Sequence, residues 1–526
     1  MVLRIFLFTG TGSLVAWFAL ISIFCLPASR SFAALPIDVP GSETVQGKQT
    51  PASAAQAAQS GNQDHEKTGR HGDHSKGDAL PADNRGTENN MEIAGESPDP
   101  QGHQQHAGHT MTGMSMMDSI AGGPFKSMNA IGSGTSLLPA SSPGYMWHLM
   151  RGNWMFMFHG NLVAGINHQG EPRGVTKAES LNWFMVMAEH PVKGGGVVLL
   201  KGMFSGEPFT SPNGGFPQLL QTGETWRGRP IIDAQHPHDL LMELSANLTM
   251  PLSKFASVYV YGGPVAEPAL GPVAFMHRLS ASETPSAPLG HHWEDSTHIS
   301  FGVFTGGVNL WRFRLEGSVF NGREPDEDRK DIDLARMNSL SARVWFTPAP
   351  NWAMQYSHGH LRDPEVLEPG TVERNTVSVS YTRPWENGWS ATTLIWGRNH
   401  EARGNSNAYL FESTANFLNK NYLFTRLELI DKAGLLEENI FGRQGLDPFI
   451  QTGSGPKPGA KFDQSFRVGT FTFGGVRDVI AGAKLRVGVG ANLTSYHLPH
   501  PLEQIYGSRP ISIQFWVRLK PGRMEH

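Results

Sequence analysis

The sequence predicts an all-β fold: a transmembrane antiparallel β-barrel of about sixteen strands, within a range of about fourteen to eighteen, preceded by a disordered tail. Three observations predict it. Apolar and polar residues alternate with period two through most of the chain beyond Met146, as strands with one face in each of two media do. The polar face carries charges in mid-strand, which a water-filled lumen allows. Connections alternate between short and long, the pattern of outer-membrane barrels.

The first element is a leader. Residues 1–34 begin with Arg4, continue with an apolar stretch and end on small residues near Ser31 and Ala33, the layout of a secretory signal peptide cleaved after Ala33 or Ala34. Cys25 is the only cysteine, so export leaves neither a disulfide framework nor a thiolate metal site. No later segment has the apolar length of a membrane helix. A net charge of -4 over 526 residues implies no nucleic-acid partner.

Residues 35–145 are rich in Gly, Ser, Ala, Pro, Asn, Asp and Gln and poor in large aliphatics. They bury too little surface to offset ordering entropy, so a disordered tail is expected, on the periplasmic side. Within it "HQQHAGHTMTGMSMM" places His103, His106, His109, Met111, Met114, Met116 and Met117 close together. With no core to fill, thioether and imidazole donors there suit a soft cation such as copper(I).

The barrel is expected over 146–520, with 521–526 as a short C-terminal tail. "LWRFRLEGSVF" sets Trp311, Phe313, Leu315 and Val319 against Arg312, Arg314, Glu316 and Ser318. "TVSVSYT", "AKLRVGVGANL" and "ISIQFWVRL" alternate in the same way. Short turns are expected at "HPVKGGG", "TMPLSKF", "FTGGVN", "FTPAPNW" and "RPWENGW", and long loops over 206–237, 263–295, 321–336, 432–463 and 495–508. An even strand count puts both barrel ends on the periplasmic side and the long loops outside. A terminal aromatic residue, usual in such barrels, is replaced here by "VRLKPGRMEH".

Histidines gather at long-loop ends. "DAQHPHDL" carries His236, His238 and Asp239; "GHHWEDSTH" carries His291, His292, Glu294, Asp295 and His298; "SHGHLRDPE" carries His358 and His360. Imidazole with carboxylate suits zinc, copper(II), nickel or iron(II). The same residues also suit a hydrogen-bonded plug of loops folded into the mouth. On the first strand, Met155, Met157 and His159 share one face and Trp154, Phe156 and Phe158 the other; with the aromatics toward lipid, a thioether–thioether–imidazole row lines the lumen. Met185, Met187 and Glu189, and Lys201 with Met203, repeat the pattern on the next strands. No GxSxG, HExxH or Walker sequence occurs, and neither an enzyme nor an organic cofactor is expected.

This arrangement resembles the copper-resistance protein B family of the bacterial outer membrane, with "HGDHSKGD" the nearest fragment to that family's His/Met repeats. The resemblance implies copper as the metal, tolerance as the role, and a periplasmic metal carrier or oxidase as partner. Two other functions fit the same strands. A channel for small solutes would use Arg312, Arg314, Arg343, Lys484, Arg486 and Arg518 as a basic, anion-favouring lumen, and a structural barrel would be closed by its own loops.

Overall fold

The computed structural model describes residues 130–211, 214–366, 369–443 and 464–524. The expected leader, 1–34, and the cluster from His103 to Met117 lie outside them. β1 (Trp147–Arg151) turns at Gly152 onto β2 (Trp154–His168), followed by β3 (Thr176–Val192) and β4 (Gly196–Phe204). A hairpin, β5 (Phe216–Trp226) and β6 (Arg229–Gln235), forms a separate two-stranded sheet. Then come β7 (Leu241–Ser253), β8 (Ala256–Ala266), β9 (Ser300–Leu310), β10 (Phe313–Phe320), β11 (Ser339–Phe346), β12 (Trp352–Arg362) and β13 (Thr371–Trp385). β14 (Gly388–Glu401), β15 (Gly404–Phe417), β16 (Asn421–Lys432), β17 (Phe466–Ala481), β18 (Leu485–His497) and β19 (Ile511–Pro521) complete the strands. Three short helices lie in loops: α1 (Glu207–Thr210), α2 (His291–Glu294) and α3 (His500–Tyr506).

Each strand from β2 to β4 and from β7 to β19 pairs antiparallel with its neighbours, and β19 returns to β2, from Ile513 opposite His168 to Leu519 opposite Leu162. The result is a closed barrel of sixteen strands. Closure leaves no free edge, the condition for β-structure to span lipid. β1 pairs with the first residues of β2, Trp147 opposite Phe158 to Arg151 opposite Trp154, covering the stretch of that edge which β19 does not reach. No helix of the described residues is long and apolar enough to cross a membrane.

The alternation places the faces as expected. Leu162, Ile166, Phe184, Phe204, Phe304, Phe515 and Val517 point outward and are exposed, an apolar band that only lipid would cover favourably. Thr305, Ser357, Thr376 and Thr414 point inward and have no exposed surface. In an open water-filled tube such residues would be wet. Here loops occupy the lumen, as the plug reading anticipated. Residues 130–145, counted with the tail by composition, also pack inside. Lys201 Nζ donates to the Gly134 carbonyl at 2.6 Å, Arg343 Nη2 to Thr135 Oγ1 at 2.9 Å, and the Ala274 amide to Ser133 Oγ at 2.8 Å.

Two sequence expectations need correction. "FTGGVN" is not a turn: β9 runs through it to Leu310, and the chain reverses at Trp311 and Arg312. Gly307 serves packing instead, since a Cβ there would lie 2.1 Å from the Tyr259 ring. Trp311 consequently sits in the turn rather than on the strand face. The basic lumen is also not free. Arg343 pairs with Glu316 at 2.8 Å, Arg486 with Asp478 at 2.9 Å, and Arg518 with Glu283 at 2.6 Å. A buried cation must be paired to be tolerated at all.

Candidate functional site

Two clusters of donor atoms meet in the lumen. The first grows from the alternation of β2, β3 and β4. Their inward positions bring Met155, Met157, Met185, Met187 and Met203 together with Met242 of β7, and Met146 and Met276 pack against them. Part of this group lines a cavity of about 90 Å³ with Met146, His159, Trp183, Met185, Met187, Met276 and His277 among its walls. The His159 and His277 rings are 5.8 Å apart, and the Trp183 ring lies 4.7 Å from one and 4.8 Å from the other. Burial, reinforced by His159 and Lys201, holds His277 well below the usual imidazole range. It is therefore a neutral base with a ring nitrogen able to ligate. The inward row Met155–Met157–His159 forms as expected. Met146, Met242 and Met276 lie at strand starts and in a loop, where no periodicity marks them.

The second cluster is built by four loops, 205–240, 267–299, 321–338 and 363–370. In "GHHWEDSTH" the helix α2 sets His291 and Asp295 one turn apart, so His291 Nδ1 meets Asp295 Oδ1 at 2.7 Å. The chain then tightens so that His298 Nδ1 reaches the Asp295 carbonyl at 2.9 Å. His238 Nδ1 meets Glu207 Oε2 at 2.8 Å. Each of these three rings is oriented through Nδ1, which leaves Nε2 as its outward nitrogen, the arrangement that carboxylate partners impose on metal-binding histidines. Ring centres of His291 and His298 are 5.1 Å apart, those of His238 and His298 5.6 Å, and those of His291 and His292 5.3 Å. Phe275 sits against His291 at 5.6 Å.

His236 and His238, two residues apart, lie in a loop and diverge. His238 faces Glu207, whereas His236 Nε2 faces Glu224 Oε1 at 3.0 Å. His292 points away from His291, toward Glu324 and Glu365. Asp239 is buried beside Arg329 at 3.4 Å. Asp295 accepts from Arg278 Nη1 at 2.6 Å, and that arginine also donates to Glu412 at 2.7 Å. Glu294 is buried with neither carboxylate oxygen hydrogen-bonded, and burial raises it well above the usual carboxylate range.

Electrostatics sort the rings. Burial depresses His236, His291 and His298, the last to about 3, so all three are neutral at pH 7. Burial would depress His292 as well, but Glu324 and Glu365 outweigh it and raise it to about 9.

His358 and His360 do share one side of β12, as the strand period requires, but that side is the outer one. The inward positions belong to Gln355, Ser357 and Leu361, which are buried. Both rings pair instead with Glu373 of β13, at 3.3 and 2.5 Å, and they take no part in either cluster. Glu207, Glu224 and Glu365 face the histidines from segments remote in sequence, a relation that no local pattern marks.

These features define a class: an outer-membrane-type barrel with a loop-filled lumen bearing thioether, imidazole and carboxylate donors. The chain is similar to solved structures of porins and outer-membrane proteins. An anion-selective porin from Comamonas acidovorans gives a TM-score of 0.40 at 10% identity over 70% of this chain and 99% of its own. OmpT of Vibrio cholerae gives 0.39 at 7% over 71% and 100%, and Salmonella typhi OmpF, in complex with daunomycin, 0.41 at 8% over 71% and 100%. No protein-family model and no curated protein matches the chain.

Proposed function

We propose that this protein is a loop-filled outer-membrane barrel that binds a soft transition-metal cation, copper(I) by preference, and serves metal efflux, sequestration or tolerance. One observation carries the reading: inward methionines of three successive strands pack into one cluster, and Met185 and Met187 of that cluster line a lumen cavity together with Met146, Met276, His159 and His277. Thioether and imidazole without thiolate suit copper(I) or silver(I), and hard cations disfavour them. Packing alone would be served as well by leucine, which holds its shape better. In this reading the periplasmic tail, with His103, His106, His109, Met111, Met114, Met116 and Met117, captures the ion and exchanges it with a periplasmic carrier or oxidase. Copper here is cargo rather than a resident cofactor.

The decisive experiment titrates full-length protein, extracted in detergent, with silver(I) or with copper(I) against a competing chelator. Binding that persists after deletion of residues 60–129 and weakens at least about tenfold in Met185→Leu/Met187→Leu supports the reading. A tail-deleted barrel that binds neither ion below millimolar concentration overturns it for the lumen.

A channel for small solutes remains the second reading, favoured by the closed sixteen-strand cylinder. Steady anion conductance in planar bilayers, unchanged by tail deletion, would support it over metal handling.

A further inference from the structure

His292, Glu324 and Glu365 come from three loops far apart in sequence, yet each offers a donor atom within 4.8 Å of the other two. His292 Nδ1 lies 3.3 Å from Glu324 Oε1 and 3.4 Å from Glu365 Oε1. Neither contact has hydrogen-bond geometry, and both ring nitrogens of His292 and Glu324 Oε2 are buried without a hydrogen bond. We propose that these three side chains form a nitrogen–oxygen site for one borderline divalent cation, of which zinc(II) is the type, separate from the thioether cavity.

Three observations support this. Zinc–nitrogen and zinc–oxygen bonds of about 2.1 Å at tetrahedral angles place neighbouring ligand atoms about 3.4 Å apart, close to the 3.3 and 3.4 Å between His292 Nδ1 and the two carboxylates. A neutral imidazole and two carboxylates supply two negative charges, the complement of a divalent ion. The surroundings also fix the donors. The Glu224 amide donates to Glu365 Oε2 at 3.1 Å, and the Glu324 amide to the Pro364 carbonyl at 3.0 Å. Gly223, at φ +127°, passes so close to His292 that a Cβ there would lie 2.2 Å from Nε2. Glu365 is 26% exposed, which gives an ion a way in, and the fourth position is left for water.

The rival is a proton-sharing triad, in which His292 stays an imidazolium between its two carboxylates. The two differ in what they bind and release. A cation must take the place of the proton shared at Nδ1, so its uptake frees a proton, whereas the proton-sharing triad alone binds no cation.

Cobalt(II) serves as the probe, because tetrahedral coordination gives it an intense visible absorption. Full-length protein in detergent, stripped with chelator, is titrated with cobalt(II) and then zinc(II), alongside Glu365→Gln and Glu324→Gln. The expected result is one zinc-displaceable cobalt with a tetrahedral spectrum, weakened at least about tenfold in both variants. Heat-modifiable migration on gels should show the variants folded, and their silver(I) binding should be unchanged. Absence of that spectrum in the wild type, or equal binding in wild type and folded Glu365→Gln, overturns the proposal. Since the silver titration reads the thioether cavity and the cobalt titration reads this triad, either reading can fail without the other.

Discussion

Along β2, β3 and β4 the barrel wall meets its filling through thioethers; around the loops 205–240, 267–299 and 321–338 it does so through imidazoles, carboxylates and guanidiniums. The methionine group needs no partner for any atom and tolerates irregular space, because the side chain is unbranched and soft. The histidine group buries polar atoms that call for partners: Glu207 and Asp295 bond His238 and His291, and Glu224 faces His236 at 3.0 Å. One lumen thus holds a region dominated by uncharged thioethers and another dominated by titratable groups, with donor sets matched to different cations.

Breaking the ionic region should have the largest effect. Arg278→Ala leaves Asp295 and Glu412 without their shared cation, a loss of about 3–5 kcal/mol for a buried pair. Loops 267–299 should loosen, lowering the unfolding temperature on heat-modified gels and admitting ions in bilayers; an unchanged gel shift and silent bilayers would contradict the packing described. In the thioether region, Met157→Ala should cost about 2–5 kcal/mol and Met157→Leu under about 1.5, both read by denaturant melts. If leucine cost as much as alanine, sulfur contacts rather than volume would hold that wall.

Acid should separate the two regions. His236, His291 and His298 have depressed values when folded. Their contribution is therefore complete above the unfolded value near 6.5 and is lost as pH falls, at up to roughly 1.4 kcal/mol per pH unit for each ring. His298 carries that loss down to about 3. His292 runs the other way, its share being complete below about 6.5 and lost as pH rises through about 9. Hydrogen exchange between pH 7 and 4 should accordingly speed up in 267–299 while the amides of β2 and β3 stay protected; equal acceleration in both would refute the division. The smallest effect belongs to the outer pair. His358→Ala/His360→Ala should alter stability by no more than about 1 kcal/mol and leave silver and cobalt binding untouched.

Most of the wall was legible because lipid and lumen impose opposite demands on alternate residues, as Phe515, Gln514 and Val517 show. Period two also read the Met155–Met157–His159 row correctly, and loop-end histidines were rightly grouped near the long loops. What alternation cannot give is which face of β12 turns inward when polar residues occupy both, so His358 and His360 were read with the rest. Gly306 and Gly307 look like a reversal in one dimension, although β9 runs through both and Gly307 makes room for Tyr259. The carboxylates at 224, 324 and 365 converge only through loop paths, which local pattern does not encode.

Glu283 lies in the loop between β8 and β9, yet it bonds Arg518 and Lys520 on the strand that closes against β2, at 2.6 Å to each. Seating that loop and joining the first strand to the last are thus coupled events, and neither half of the coupling is satisfied while the sheet is still open. Assembly should accordingly show no long-lived empty cylinder: a late, cooperative step would insert the loop and seal the seam together, at the slow rate that contacts so remote in sequence entail.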